Sequence, residues 1–209
     1  MDDRTGPESG GITPPESSKA EPLGDGRARL FALIGRLCVA PPDADLLRAL
    51  QALAGDTTQV GEAIRTLAVA AQQTTHDSIS REYFDLFIGV GRGEVLPYAS
   101  YYITGFLHDR PLADLRADLR RLGLERAAGV VEPEDHLGFL CETYAGLLSG
   151  GFDGGAREAE RFFARHMLSW AGRCFTDIER AQTAQFYRAV GTLGRTVIEI
   201  EQAAAALPA

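Results

Sequence analysis

Apolar residues recur at three- and four-residue steps along most of the chain, the spacing of one helix face. Leu30, Phe31, Ile34, Leu37 and Cys38 form the first such stripe, in a helix that starts near Arg27. Pro41-Pro42 ends it, and Asp43 is an N-cap for a second helix over 43–54. Thr57 or Thr58 opens a third, running to Gln73 with Val60, Ile64, Leu67 and Ala71 inward. Asp77 or Ser78 opens a fourth over 78–88, carrying Tyr83, Phe84, Leu86 and Phe87. The run GVGRGEVLPYAS, residues 89–100, has three glycines and a proline and predicts a loop.

Helical spacing resumes over 100–107 and again after Asp109-Arg110-Pro111, ending at Gly123. Residues 124–131 connect to a helix opened by Glu132-Pro133-Glu134-Asp135-His136. There Pro133 sits near the first helical position and the acids fall in the first turn, where the helix dipole favours them. Leu137, Leu140, Cys141, Tyr144, Leu147 and Leu148 make its apolar face. GGFDGG (150–155) breaks the pattern, and two long helices, 156–175 and 179–204, close the chain. The stretch Thr196 to Ile200 alternates and is the one local hint of a strand. No repeat of 20–50 residues occurs. The expected fold is all-α, a single globular bundle of eight to ten helices over 27–209. Residues 1–26, rich in Gly, Pro, Ser and acids, are expected to be a disordered tail outside it.

Composition narrows the function. The 209 residues carry a net charge of −8, which argues against coating nucleic acid or an anionic membrane. Half of that charge belongs to residues 1–26, so the folded body is only mildly acidic. The single lysine, Lys19, lies in the tail, which leaves no lysine on a folded element for Schiff-base or P-loop chemistry. Cys38, Cys141 and Cys174 are odd in number and form no CxxC, as expected of buried thiols in a reducing compartment. No apolar run reaches the roughly 20 residues that span a bilayer, and the N-terminus lacks a signal-peptide pattern. The expected location is the cytoplasm, without stable membrane insertion.

Candidate chemistry is sparse. GVGRG follows a helix and lacks GK[ST], so it is no phosphate cradle. The four histidines, His76, His108, His136 and His166, make no HExxH, and Asp135 and His136 would point about 100° apart on a helix. Glu132 and Asp135, three apart, share a face. They are either a helix start or an electronegative spot for a cationic partner. Tyr83-Phe84-x-x-Phe87 and Pro97-Tyr98-x-x-Tyr101-Tyr102 are either core or the walls of an amphipathic peptide groove. Phe162-Phe163-x-x-His166-Met167-x-x-Trp170 reads as a packing stripe. One alternative is a helical metal-dependent hydrolase using Asp135 and His136 with Glu132 and His108 or His166; those groups would have to converge within about 2.0–2.2 Å of one ion.

Three motifs in order carry a resemblance: Tyr83-x-x-Leu86-Phe87, Pro97-Tyr98-x-Ser100-x-Tyr102 and Glu132-Pro133-x-Asp135-His136, followed by Phe163-x-x-His166-x-x-x-Trp170. Over roughly 28–190 the chain resembles the TorD/DmsD/NarJ family of maturation chaperones for molybdenum-containing oxidoreductases. The resemblance implies a TorD-like helical fold and no catalysis or cofactor. It also implies binding of the N-terminal twin-arginine leader of an apo-oxidoreductase catalytic subunit, which delays export until cofactor insertion is complete. Tyr83, Leu86, Phe87, Pro97, Tyr98, Ser100, Asp135 and His136 would line the leader site. Leu86, Phe87 and Tyr98 would meet the leader's apolar region, and Glu132, Glu134 and Asp135 its arginines. A monomer or a domain-swapped dimer hinged at the glycine-rich loops is expected.

Overall fold

The computed structural model describes residues 22–124, 132–152 and 155–207. The expectation of a disordered tail therefore falls, for residues 1–21, outside the described residues. Most of the 124–131 connection and residues 153–154 of GGFDGG lie outside them too. Among the described residues there are ten α-helices and no strand. The first, α1 (Pro22–Val39), begins five residues before the expected Arg27, with a proline at its first position, where the missing N–H costs nothing.

Short polar side chains set most helix starts. Asp43 accepts from the Leu46 amide at the head of α2 (Ala44–Gln51), and Thr58 from that of Gly61 at the head of α3 (Gln59–Gln72). The cap of α4 (His76–Tyr83) is Thr75, two residues before Asp77 and three before Ser78, the caps expected from the sequence. The fourth helix does not run on to 88 as an α-helix. Phe84–Ile88 widens into a π-turn, closed by the Gly89 amide on the Phe84 carbonyl at 2.6 Å. Next come α5 (Ala99–Thr104), α6 (Arg110–Arg121, capped by Asp109) and α7 (Leu137–Leu148).

The C-terminal third corrects the expected pair of long helices. It forms three: α8 (Gly155–His166), α9 (Ala171–Arg180) and α10 (Phe186–Ala205). The chain turns at 167–170, where the Met167 and Leu168 amides share the Phe163 carbonyl. That turn buries Trp170 fully while its indole N–H donates to the His166 carbonyl at 2.6 Å. The aromatic spacing carries through the turn unbroken, so the pattern alone hides it. Thr196–Ile200 is helical, within α10.

Two carboxylates from the middle of the chain set the start of α10. Glu82 accepts from the amides of Gln185, Phe186 and Tyr187 at 2.7–3.1 Å. Glu94 accepts from those of Gln182 and Thr183 and from the Thr183 hydroxyl. Together they satisfy amides that no helical carbonyl can reach.

The core is continuous, with α1 packed along α7 and α10 against α3 and α9. Trp170, Tyr144, Tyr187, Phe31 and Phe175 are its largest fully buried side chains. The three cysteines are buried and unbridged, and burial pushes the Cys38 thiol up to about 12. At one edge Arg27 donates to Glu201, which also accepts from the Tyr144 hydroxyl, tying α1 to α10 across α7. His166, expected as a packing histidine, is buried with Nε2 2.8 Å from Asp118.

The α9–α10 contact is close enough to need glycine. A Cβ on Gly191 would lie 2.5 Å from the Glu179 backbone nitrogen, which cannot move without displacing α9. Gly191→Ala is therefore expected to destabilise by about 1–3 kcal/mol through overpacking, despite alanine's better helix propensity. Gly172 in α9 has its nearest neighbour, an Ile198 methyl, at 3.4 Å, so Gly172→Ala should be neutral or stabilising. Urea denaturation of the two variants checks the contrast.

Candidate functional site

The three sequence motifs meet at one elbow. Segments 97–99 and 135–137 run antiparallel: the Ala99 amide donates to the Asp135 carbonyl at 3.0 Å and the Leu137 amide to the Pro97 carbonyl at 2.7 Å. This pairing corrects the expected helix start. Residues 132–136 are a turn, and α7 begins only at Leu137. A helix through 132–136 would need the same backbone groups that the 97–99 segment takes.

Asp135 is buried, and its Oδ2 accepts from both the backbone amide (2.9 Å) and the hydroxyl (2.5 Å) of Ser100, also buried. A buried carboxylate without such partners would cost several kcal/mol. His136 caps α7: its Nδ1 accepts from the Gly138 amide at 3.1 Å, which requires that nitrogen to be unprotonated. Burial holds the imidazole below the ordinary histidine value, against the opposing charges of Glu132 and Asp135. The His136 ring meets Tyr98 edge-on at 5.3 Å.

Tyr98 is half-buried and its hydroxyl donates to Glu132. Burial and that bond both push the phenol's pKa up. Tyr83 is half-buried too, with its hydroxyl on the Val39 carbonyl at 2.6 Å and its ring against Phe87 and Tyr187. Burial raises its pKa to about 12, and Glu132 is near enough to add to that shift. Leu86, Phe87 and Pro97 are buried, Phe87 with its ring against that of Tyr83. Glu134 is buried and paired with Arg116 at 2.7 Å. Of the acids at 132, 134 and 135, Glu132 alone is exposed.

Tyr98, Leu107, His108, Glu132, Pro133 and Asp135 line a cleft of about 300 Å³. From Leu107 an apolar ledge runs back to the end of α5, with Ile103, Phe106 and Leu107 47%, 72% and 42% exposed; Ile103 also borders a separate cleft with Arg110 and Asp114. The sequence reading missed this ledge. Its signal was the run Ile103-Thr104-Gly105-Phe106-Leu107, which has the apolar residues of a core helix but too few residues to complete one. The glycine-rich loop is fastened beneath the site. Val95 donates to the Leu86 carbonyl at 2.9 Å, and a Cβ on Gly93 would lie 2.4 Å from the Phe87 carbonyl carbon.

The metal-hydrolase alternative needs convergent ligands. Asp135 is committed to Ser100 and His136 to α7, and among the described residues no three His, Cys, Asp or Glu side chains converge on a common point.

Two outcomes follow from this geometry. Asp135→Ala strands the buried Ser100 amide and should destabilise by about 1–3 kcal/mol, whereas Glu132→Gln should stay within about 0.5 kcal/mol. Thermal melts distinguish them. Burial also holds His166 low, opposed by Asp118, so the unfolded chain protonates both rings near about pH 6.5 while the folded chain resists. Stability is therefore full above that pH and is lost as pH falls toward the folded values. Urea melts from about pH 7.5 to 5.5 test the sign, and His136→Asn, which keeps an acceptor for the Gly138 amide, should flatten the slope.

Comparison with known proteins places this elbow in a family. The family model for the nitrate reductase delta subunit matches residues 53–176, which takes in all three motifs. A Tat proofreading chaperone DmsD of Salmonella paratyphi A is 30% identical over 168 residues, covering 76% of this chain and 80% of the relative. A chaperone protein TorD of Aliivibrio fischeri is 26% identical over 163 residues, covering 70% and 75%. A solved redox enzyme maturation protein from Archaeoglobus fulgidus shares the fold, with TM-score 0.54 at 20% identity, over 85% of this chain and 94% of that one. The match spans more than half the chain, and the chain belongs to the nitrate reductase delta subunit family, the family of TorD and NarJ.

Proposed function

We propose that this protein is a cytoplasmic maturation chaperone for a molybdenum-containing oxidoreductase, and that it binds the twin-arginine leader of the catalytic subunit at the Tyr98–Glu132 cleft. The carrying observation is the pairing of an exposed carboxylate, Glu132, with an exposed apolar ledge, Ile103, Phe106 and Leu107, in a chain whose relatives are TorD and DmsD chaperones. A twin-arginine leader offers the complement: guanidinium groups beside an apolar stretch.

The physical roles divide by exposure. Glu132 pairs with a leader arginine in a charge-assisted, bidentate bond. Tyr98 and the ledge cover the apolar stretch, each large side chain contributing about 1.5–3 kcal/mol when fully buried. Asp135, Ser100 and His136 hold the elbow that sets Tyr98 beside Glu132, and Leu86, Phe87 and Pro97 support it from below. Tyr83 flanks the cleft on the α1 side. Retaining the leader in this way delays export until the cofactor is in place, and no catalytic step is needed.

Calorimetry with a synthetic twin-arginine leader from a neighbouring molybdoenzyme gene tests this. Binding tighter than about 100 μM is expected, that is, more favourable than roughly −5.5 kcal/mol. A Lys-Lys leader should bind more weakly, and added salt should weaken both. Glu132→Gln and Phe106→Ala should each cost about 1–2 kcal/mol, a factor of roughly 5 to 30. Unchanged leader affinity in the double variant would sink the assignment of this cleft.

A further inference from the structure

On the far side of His108 the surface reverses its charge. A second cleft, of about 370 Å³, runs along α6 and is lined by Arg110, Arg116 and Arg120, with Ala113 between them and His108 as the wall it shares with the Tyr98–Glu132 cleft. In a chain of net charge −8 this is a local inversion. The carboxylate in the cleft, Asp109, accepts from the Arg110 amide as the cap of α6. Arg116 is held by Glu134. The guanidinium groups of Arg110 and Arg120 make no hydrogen bond or ion pair among the described residues.

Helix stability does not account for the arrangement. Arg120 lies in the last turn, where the dipole favours a cation, but Arg110 is the first residue of α6, where the dipole opposes one. Ala113 and Ala117, both exposed, fill the space between the arginines with the smallest side chains that keep a helix. The result is a shallow face about 15 Å long, from the helical rise of α6, with cations at both ends.

We propose that this α6 face docks an acidic segment of a protein partner, its carboxylates paired with Arg110 and Arg120 and its backbone lying against Ala113 and Ala117. Charge complementarity selects the occupant. The face is too short to follow a nucleic-acid backbone, and the net negative charge of the protein repels a long polyanion. The proposal stands apart from the leader reading, because it uses none of the residues assigned to the leader.

The full chain can be titrated with an N-acetylated alanine-based helical peptide bearing glutamates along one face. A glutamine version, inorganic tripolyphosphate and a short DNA duplex serve as comparators. The glutamate peptide should bind, more weakly as salt rises. The double variant Arg110→Glu/Arg120→Glu should lower its affinity at least tenfold, with a melting curve close to the parent's, since both side chains are exposed and the dipole effects at the two ends of α6 oppose each other. Tyr98→Ala should leave peptide affinity unchanged, which separates this surface from the leader cleft. The proposal is overturned if the glutamate peptide fails to bind, if the glutamine peptide binds equally, or if the double variant binds as well as the parent chain. Tighter binding of tripolyphosphate or DNA than of the glutamate peptide overturns it too.

Discussion

One buried carboxylate organises the centre of this protein. Asp135 takes a carboxyl group out of water, and Ser100 compensates with two hydrogen bonds, from its amide and its hydroxyl, to the same oxygen. Those bonds join segments 35 residues apart and close the α5–α6 excursion between them. Everything that gives the site its shape follows from this closure. Tyr98 is set against His136, the Tyr98 hydroxyl reaches Glu132, and α7 starts at a fixed point along α1. The residue that reads in the sequence as an arginine contact is instead the one that determines where the exposed residues stand.

That outcome shows where the sequence was informative. Helical spacing identified nearly every element because amphipathic helices write their buried face directly into residue order, as Phe31, Ile34 and Leu37 do in α1. The caps Asp43 and Thr58 were legible for a similar reason, since each bonds an amide within its own turn. Features that depend on distant partners were not. Nothing local marks Glu82 and Glu94 as the caps of a helix about ninety to a hundred residues later. Likewise, the turn at Trp170 keeps helical aromatic spacing although the helix has ended.

The site divides the same way. The motif residues Tyr98, Ser100, Glu132, Asp135 and His136 do come together. Spacing cannot say which side chain faces inward, and here Leu86, Phe87, Ser100 and Asp135 face in while Glu132 faces out. The apolar ledge at Ile103, Phe106 and Leu107 escaped notice because an exposed apolar run and a buried one have the same sequence. Family resemblance supplied what periodicity could not, the expectation that this neighbourhood matters at all.

The clasp formed by Glu82 and Glu94 also dictates an order of events during synthesis. Its partners lie 88 to 105 residues further along the chain, and the Arg27–Glu201 pair spans 174. Neither can form while the C-terminal helices are still within the ribosome. The segment bearing the cleft thus emerges with its anchoring carboxylates unpaired, and it gains its final support only when α10 arrives. Contacts of such long sequence separation slow folding relative to a bundle built from neighbours. A nascent copy must bring α1 and α10 together before the cleft has its final support.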